Sequence, residues 1–144
     1  MMRTRVPNWS VKLAGFADSV LGKPFVWGET DCVSICRGAL ETMYDEDIIA
    51  PHFDATYSTK IGAARVFGKI GSMATVAEQA GAREVRPDMS VDGDVMLFPR
   101  VGSYENVATR IGGMWIVSDP DLDRVIATKI LPTSINSNVK VFRF

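Results

Sequence analysis

The chain has 144 residues, of which 47% are hydrophobic and 23% are charged, and its formal net charge is −1 at pH 7. These values are ordinary for a globular protein with a real core, and we expect residues 1–144 to form a single domain. The near-neutral charge argues against a general binder of nucleic acid or of anionic membranes. No apolar run is long enough to span a membrane, and the first residues lack the apolar segment of a signal peptide, so we expect synthesis in a cytoplasm.

Apolar periodicity and capping residues predict helices in the first part of the chain. They run from Asn8 to Leu21, from Thr30 to Tyr44, from Ser58 to a break at Gly68 and Gly71, and from Ser72 to Gln79. Each has a Ser, Thr, Asp or Asn at its start, where a side-chain oxygen can accept a hydrogen bond from the first turn.

From Val85 onward the pattern changes to short β-branched or aromatic runs separated by turn residues. The predicted strands are Val95–Phe98, Val107–Ile111, Met114–Val117, Arg124–Thr128 and Val139–Phe144. The pair Gly112-Gly113 between two of these runs predicts a two-residue hairpin. Helices followed by antiparallel strands indicate an α+β fold.

The most informative stretch is the run from Pro24 to Cys32, which reads PFVWGETDC. The two residues before Cys32 are good N-cap residues and predict that this cysteine starts the second helix. The positive end of a helix dipole and unpaired backbone N–H groups favour a thiolate there, the form that attacks carbonyl carbons. Cys32 also lies on the apolar stripe of this helix with Ile35 and Cys36, so a buried, inert thiol is the competing interpretation.

Cys32 and Cys36 are the only cysteines, and they lie four residues apart. A disulfide between them would close a tiny loop with poor geometry, so we expect both thiols to be reduced. Structural zinc sites need four ligands, and one distant histidine does not complete such a set. We therefore expect no metal and no cofactor.

The segment Phe25–Gly28 followed by Asp31-Cys32 resembles the nucleophile motif of the NlpC-type papain-like cell-wall cysteine peptidases. Gly93-Asp94 is similar to the pair that opens the first strand of that family's sheet. The length and the lead-in are most similar to short phage proteins of this superfamily that are encoded among tail genes. The resemblance implies an α+β papain-like fold, with N-terminal helices packed on a small antiparallel β-sheet.

In that family the catalytic histidine opens the next strand, and Asn106 takes its position here. The third polar group of the family triad would fall near Ser118. An asparagine amide has no titratable nitrogen to take a proton from a thiol near pH 7. A positioned general base is typically worth about 10²–10⁴ in rate, so this departure argues against catalysis. We expect Cys32 to pack against the strand Val95–Phe98, with Asn106 close to it.

His52, the sole histidine, lies in a segment between two predicted helices. Folding can bring a loop histidine to a distant cysteine, because triads are defined by geometry and not by order in the chain. A loop histidine is more often a solvated or capping side chain. Both interpretations of His52 remain open.

Functions from different classes follow from the resemblance. The first is a structural component of a tailed-phage tail tip or baseplate, whose papain-like fold has lost the catalytic base and acts as a docking module. The second is a cysteine peptidase or amidase that cuts peptidoglycan peptides during phage entry, with Cys32 as nucleophile and His52 or another group as base. An inhibitor that binds a host target is a third. We favour the first, in a virion assembled in the host cytoplasm.

The expected partners are other tail-tip or baseplate proteins, with peptidoglycan as a further candidate. The basic arm containing Arg3 and Arg5 and the C-terminal strand over residues 139–144 are the predicted contact regions. A terminal strand of this kind either closes the domain's own sheet or offers an edge to a neighbouring protein.

Overall fold

The computed structural model describes residues 3–53, 56–98, 106–118, 120–121, 123–129 and 139–144. The described helices are α1 (Trp9–Val20), α2 (Cys32–Tyr44), α3 (Lys60–Ile70) and α4 (Met73–Gln79). They confirm the predicted helices, with bounds that differ by one or two residues at several ends. The third helix continues through Gly68 and ends before Gly71, which has a φ of 83°.

The helix starts follow from their capping residues. Asp31, Thr59 and Ser72 each have an extended backbone and accept hydrogen bonds from N–H groups of the first turn of α2, α3 and α4. Because Asp31 is the cap, α2 begins at Cys32 and not at Thr30. The carboxylate of Asp31 takes the place of the carbonyl oxygens that are missing at a helix start.

The described strands form one sheet in which neighbouring strands are antiparallel. They are β1 (Arg83–Val85), β2 (Val95–Leu97), β3 (Val107–Ile111), β4 (Met114–Val117), β5 (Ile126–Thr128) and β6 (Lys140–Arg143). The order across the sheet is β1-β6-β2-β3-β4-β5. The predicted α+β architecture is therefore confirmed, and β1 is an additional strand that its mostly exposed residues did not reveal.

The hairpin between β3 and β4 has the predicted two-residue turn. Gly112 and Gly113 have φ values of 63° and 76°, the left-handed region that such a turn requires. The carboxylate of Asp92 accepts hydrogen bonds from both backbone N–H groups, at 3.0 and 2.8 Å. This contact fixes the turn that joins β3 to β4, and with it the register of β3, the strand on which α2 packs.

The helices pack on one face of the sheet. Leu40 and Met43 of α2 are fully buried in a core cluster that also contains Val95 and Phe142. Alternate residues of the strands point to the opposite face, where they form a second cluster. Its buried members are Met96, Ala108, Trp115 and Val141.

A buried ion pair joins the last strand to the loop before β2. Asp94 is fully buried, and Arg143 donates from Nε and from a terminal nitrogen to its two carboxylate oxygens, both at 2.9 Å. Asp94 of the Gly93-Asp94 pair noted in the sequence thus has a structural role, because it binds the guanidinium of Arg143 on β6.

The structure corrects one of the two predicted contact regions, the C-terminal strand. β6 lies between β1 and β2, so the C-terminal strand closes the domain's own sheet and offers no free edge. Arg3 donates to the carbonyl oxygen of Ala80, and the guanidinium of Arg5 lies 4.2 Å from the centre of the Trp9 ring. Both arginines of the arm thus have partners within the chain and are partly exposed, and a contact of the arm with another protein stays a prediction. Within the described residues, no helix has the length and apolar character that crossing a membrane requires.

Candidate functional site around Cys32

The turn before α2 is held by its own side chains. The hydroxyl of Thr30 donates to the carbonyl oxygen of Pro24 at 2.7 Å and accepts from the N–H of Val26 at 2.8 Å. Thr30 is also buried, so these bonds satisfy a hydroxyl that water cannot reach. The turn therefore fixes the direction in which the chain enters α2.

Gly28 allows another segment to lie directly against this turn. Its φ is +83°, and a Cβ at this position would lie 2.0 Å from the backbone carbonyl oxygen of Tyr57. A side chain there would be strained in φ and would also clash with backbone. The motif glycine is thus explained by a close approach of Tyr57, which the sequence did not predict.

Asp31 is the best-connected residue of the site. Its buried carboxylate accepts five hydrogen bonds, from the backbone N–H groups of Gly28, Val33 and Ser34 and from the hydroxyls of Ser34 and Tyr57. The distances lie between 2.7 and 3.2 Å. Donors in this number stabilise a buried anion without a cation, so Asp31 holds the turn, the helix start and Tyr57 together.

Cys32 is the first residue of α2, as predicted, and its surroundings agree with the interpretation of a buried, inert thiol and not with that of a thiolate. The side chain is 7% exposed, and burial raises the pKa of the thiol from 9.0 to about 12, with a further increase from the neighbouring Asp31 carboxylate. Hydrogen bonds from the backbone N–H groups of Val107 and Val33 lower the pKa by less. The thiol is therefore protonated near neutral pH, because desolvation outweighs the helix terminus.

The second thiol has a similar environment. Cys36 lies one turn further along α2, is 7% exposed, and burial raises its pKa to about 12. The nearby hydroxyl of Thr109, on β3, lowers this pKa by less. Both cysteines are free and buried. Neither has the low pKa of a reactive cysteine.

Asn106 immediately precedes β3. Its carbonyl oxygen accepts from the N–H of Phe98 at 2.9 Å. The side-chain Oδ1 atom of Asn106 is enclosed and has no hydrogen-bond partner among the described residues. The next residue, Val107, belongs to the same buried cluster as Cys32, and so do Val95 and Leu97 of the predicted strand β2.

Ser118, just after β4, reaches the same end of α2. It is buried, and its hydroxyl donates to the backbone carbonyl oxygen of Thr30 at 2.6 Å. This bond ties the sheet to the turn before Cys32. The single hydroxyl proton of Ser118 is used there, so its observed contact is structural.

His52 lies on the turn after Ile49, where its backbone N–H donates to the Ile49 carbonyl oxygen at 2.9 Å. Its side chain is partly exposed. The Asp31 carboxylate and the Val107 backbone are among the described groups that shift the pKa of Cys32, whereas His52 is not. A catalytic role for His52 stays a prediction without a supporting contact.

Sequence reasoning missed Tyr57, which belongs to the site. It lies in a connection whose composition carries no periodic signal, and only the tertiary structure brings it to Asp31. A small pocket of ≈ 70 Å³ lies beside it. The pocket is lined by Gly28, Ser34, Arg37, Thr56 and Tyr57. This volume holds one small functional group, since ligand-sized pockets are several times larger.

With this geometry, the chain can be compared with known proteins. The sequence profile described as "Domain of unknown function (DUF6950)" matches residues 4–132. The chain belongs to this family. None of the curated proteins matches the sequence.

Two solved structures from Mycobacterium tuberculosis are similar in fold. RipD, described as a non-catalytic NlpC/p60 domain protein with an adaptation to peptidoglycan-binding function, has a TM-score of 0.54 and 13% identity, over 96% of this chain and 98% of that chain. The peptidoglycan hydrolase RipB has a TM-score of 0.56 and 15% identity, over 96% of this chain and 68% of that chain. These likenesses give the chain an NlpC/p60-like fold and, at such identities, nothing beyond the fold.

Proposed function

We propose that the protein is a non-catalytic NlpC/p60-like component of a tailed-phage tail tip or baseplate. The observation that carries the non-catalytic part is the state of Cys32, whose thiol is buried beside the Asp31 carboxylate and has a pKa of about 12. The tail-tip part is supported by the resemblance of the motif around Trp27 and of the chain length to short phage proteins encoded among tail genes.

The absence of a base at the family position supports the same proposal. Asn106 takes the position of the family histidine by motif, and its amide cannot accept the thiol proton. A protonated thiol without a base is a poor nucleophile, and an amine leaving group would also lack a general acid. Binding is then the function that the fold retains.

Peptidoglycan is a second proposed partner beside the other tail proteins. RipD, which has the same fold, is described as non-catalytic and adapted to peptidoglycan binding. A tail-tip protein that lost catalysis could keep such binding, because binding a polymer requires neither a thiolate nor a base.

A cysteine peptidase or amidase remains the second candidate, and one observation favours it. Burial and the Asp31 carboxylate raise the pKa of the Cys32 thiol, but backbone hydrogen bonding by Val107 and Val33 acts in the opposite direction and favours a negative charge there. If Cys32 were the nucleophile, groups of this kind could form the oxyanion hole, and His52 would have to supply the base.

Purified protein incubated with peptidoglycan sacculi decides between the two. We expect wild type and Cys32→Ser to release no more peptide fragments than buffer does, and to sediment equally with the sacculi. Fragments released by wild type and not by Cys32→Ser would establish the peptidase.

The location in the virion is tested separately, by the protein content of purified phage particles. We expect the protein to be present there and to associate with tail-tip proteins. A protein that is absent from particles, and monomeric with all tail-tip proteins present, would refute the tail-tip role.

A further inference from the structure

Tyr57 is attached at two points to the turn that carries Cys32. Its phenolic hydroxyl donates to Asp31 Oδ1 at 2.8 Å. Its backbone carbonyl oxygen lies against Gly28, where a Cβ would come within 2.0 Å of it. The two contacts hold the ring over the start of α2, although Tyr57 is distant from this turn in the sequence.

The ring of Tyr57 is also fixed by aromatic neighbours. Its centre lies 6.3 Å from that of Trp27 and 5.7 Å from that of Phe67, with steep angles between the ring planes. Edge-to-face and tilted pairs at such distances are favourable, and they restrict the rotation of the ring. Tyr57 is thus held by hydrogen bonding, by backbone contact and by packing.

The cover over the Cys32 thiol needs an explanation, because Gly28 and Glu29 in the preceding turn are exposed whereas Cys32 is only 7% exposed. Val107 of β3 belongs to the same buried cluster as Cys32. The ring of Tyr57 packs against this cluster, and its hydroxyl binds the carboxylate of Asp31, the residue next to Cys32. The sheet and Tyr57 therefore both pack on the cluster that encloses the thiol.

We propose that Tyr57 closes the cysteine site, so that a molecule in solution reaches the Cys32 sulfur only when Tyr57 leaves Asp31 and Gly28 in a local opening. This goes beyond the proposed function and does not depend on the tail-tip role. It supplies a second obstacle to catalysis, which is independent of the residue at position 106. It also explains the motif glycine, since any larger residue at position 28 would push Tyr57 away.

The test is the rate at which a disulfide reagent such as dithionitrobenzoate modifies Cys32 in the folded protein. All variants also carry Cys36→Ala, so that Cys32 is the thiol whose modification is measured. Wild type should react slowly, at a rate that hardly changes with urea well below the unfolding transition, because local openings expose little surface. Tyr57→Ala should react at least about tenfold faster under the same conditions. Tyr57→Phe keeps the ring and loses one hydrogen bond, so it should lie between them.

Phe53→Ala is the matched control, since Phe53 is buried and its ring, like that of Tyr57, packs on Phe67, with 5.8 Å between the ring centres. Its modification rate should rise only as far as its measured loss of stability predicts. The closure is refuted if the effect of Tyr57→Ala is likewise explained by lost stability. If Tyr57→Ala does not fold, the urea dependence of the wild-type modification rate still tests the closure. A wild-type protein that is modified only when it unfolds globally would also refute the closure. Peptidoglycan hydrolysis by wild type would overturn the proposed function and leave this result unaffected.

Discussion

At the scale of single residues, burial and not helix position determines the chemistry of Cys32. A helix terminus contributes typically about 0.3–1 kcal/mol to a nearby charge. A rise of the thiol pKa from 9.0 to about 12 corresponds to about 4 kcal/mol in favour of the protonated form. Desolvation is the larger of the two effects, so Cys32 is a protonated, hydrophobic side chain although it lies in the first turn of a helix.

The raised thiol pKa values predict a loss of stability at alkaline pH. Between pH 9 and 12 the folded protein keeps protons on Cys32 and Cys36 that the unfolded chain has released. Below the pKa that a cysteine thiol has in the unfolded chain, we expect the two thiols not to make stability depend on pH. Above that pKa, the free energy of unfolding should fall by up to about 1.4 kcal/mol per pH unit for each thiol. Urea unfolding followed by circular dichroism from pH 7 to 10 measures this.

The control is the double variant Cys32→Ala and Cys36→Ala. It is less stable at pH 7 because it lacks two buried sulfur atoms, but its free energy of unfolding should change less between pH 8 and 10. Equal slopes for the double variant and wild type would show that the thiols titrate normally.

Gly28 and Gly113 provide a matched pair for the contact with Tyr57. Both have positive φ values, +83° and +76°, but a Cβ at Gly113 meets nothing within 4 Å whereas one at Gly28 meets the Tyr57 carbonyl oxygen. We expect Gly113→Ala to cost about 1–3 kcal/mol from backbone strain alone. Gly28→Ala should cost clearly more, because backbone must also move. Similar losses in chemical denaturation would argue against the close approach.

At the scale of elements, the Asp94–Arg143 pair links β6 to the loop before β2. Removing one partner of a buried ion pair leaves the other charge buried and unpaired, which typically costs about 3–5 kcal/mol. We expect Arg143→Gln to destabilise the protein by this order, because Asp94 is fully buried. Thermal or urea unfolding gives the value.

Arg86→Gln is the control for this prediction. The Arg86–Asp88 pair has a similar distance, 2.8 Å, but its side chains are 79% and 62% exposed. Such a pair typically contributes about 0–1 kcal/mol, so its loss should have little effect. Asp94→Asn added to Arg143→Gln should recover part of the stability, and no recovery would argue against an unpaired charge as the cause.

The position of β6 predicts the result of removing the C-terminal strand. Deletion of residues 139–144 takes away the hydrogen-bond partner of both β1 and β2 and the fully buried Val141 and Phe142. We expect the truncated protein to be unfolded by circular dichroism, since losing two buried side chains and a central ladder exceeds the stability of a small domain. A truncated protein that folds and only fails to bind its partners would restore β6 as an interface.

At the scale of the whole molecule, the non-catalytic proposal separates stability from thiol chemistry. Phage carrying Cys32→Ser should remain nearly as infectious as wild type. Leu40→Ala removes a fully buried side chain of the same helix and should lower the free energy of unfolding by about 2–5 kcal/mol. Phage that carry it should therefore lose infectivity. Infectivity titres of the two variants measure this. Cys32→Ser particles that assemble normally and fail to breach the cell wall would overturn the structural role.

The local patterns in the sequence were sufficient for the helices, for the capping residues of α2, α3 and α4 and for the β3–β4 hairpin, whereas Asn8 before α1 makes no side-chain cap. Asp31, Thr59 and Gly112-Gly113 act on backbone within a few positions of themselves, so their effect does not depend on the rest of the fold. The position of Cys32 at the start of α2 belongs to this class, and so does the α+β order of elements.

Only the tertiary structure decided what surrounds Cys32 and where the last strand lies. Tyr57 reaches Asp31 through a connection without periodicity, and β6 pairs with β1 and β2 because long-range register, not local propensity, fixes strand order. The pKa of a thiol depends on the water that its neighbours exclude, and the buried cluster around Cys32 includes strand residues such as Val107 that are distant in the sequence. The apolar stripe of α2 favoured a buried, inert Cys32, but the spacing could not show which side chains from the rest of the chain enclose the thiol.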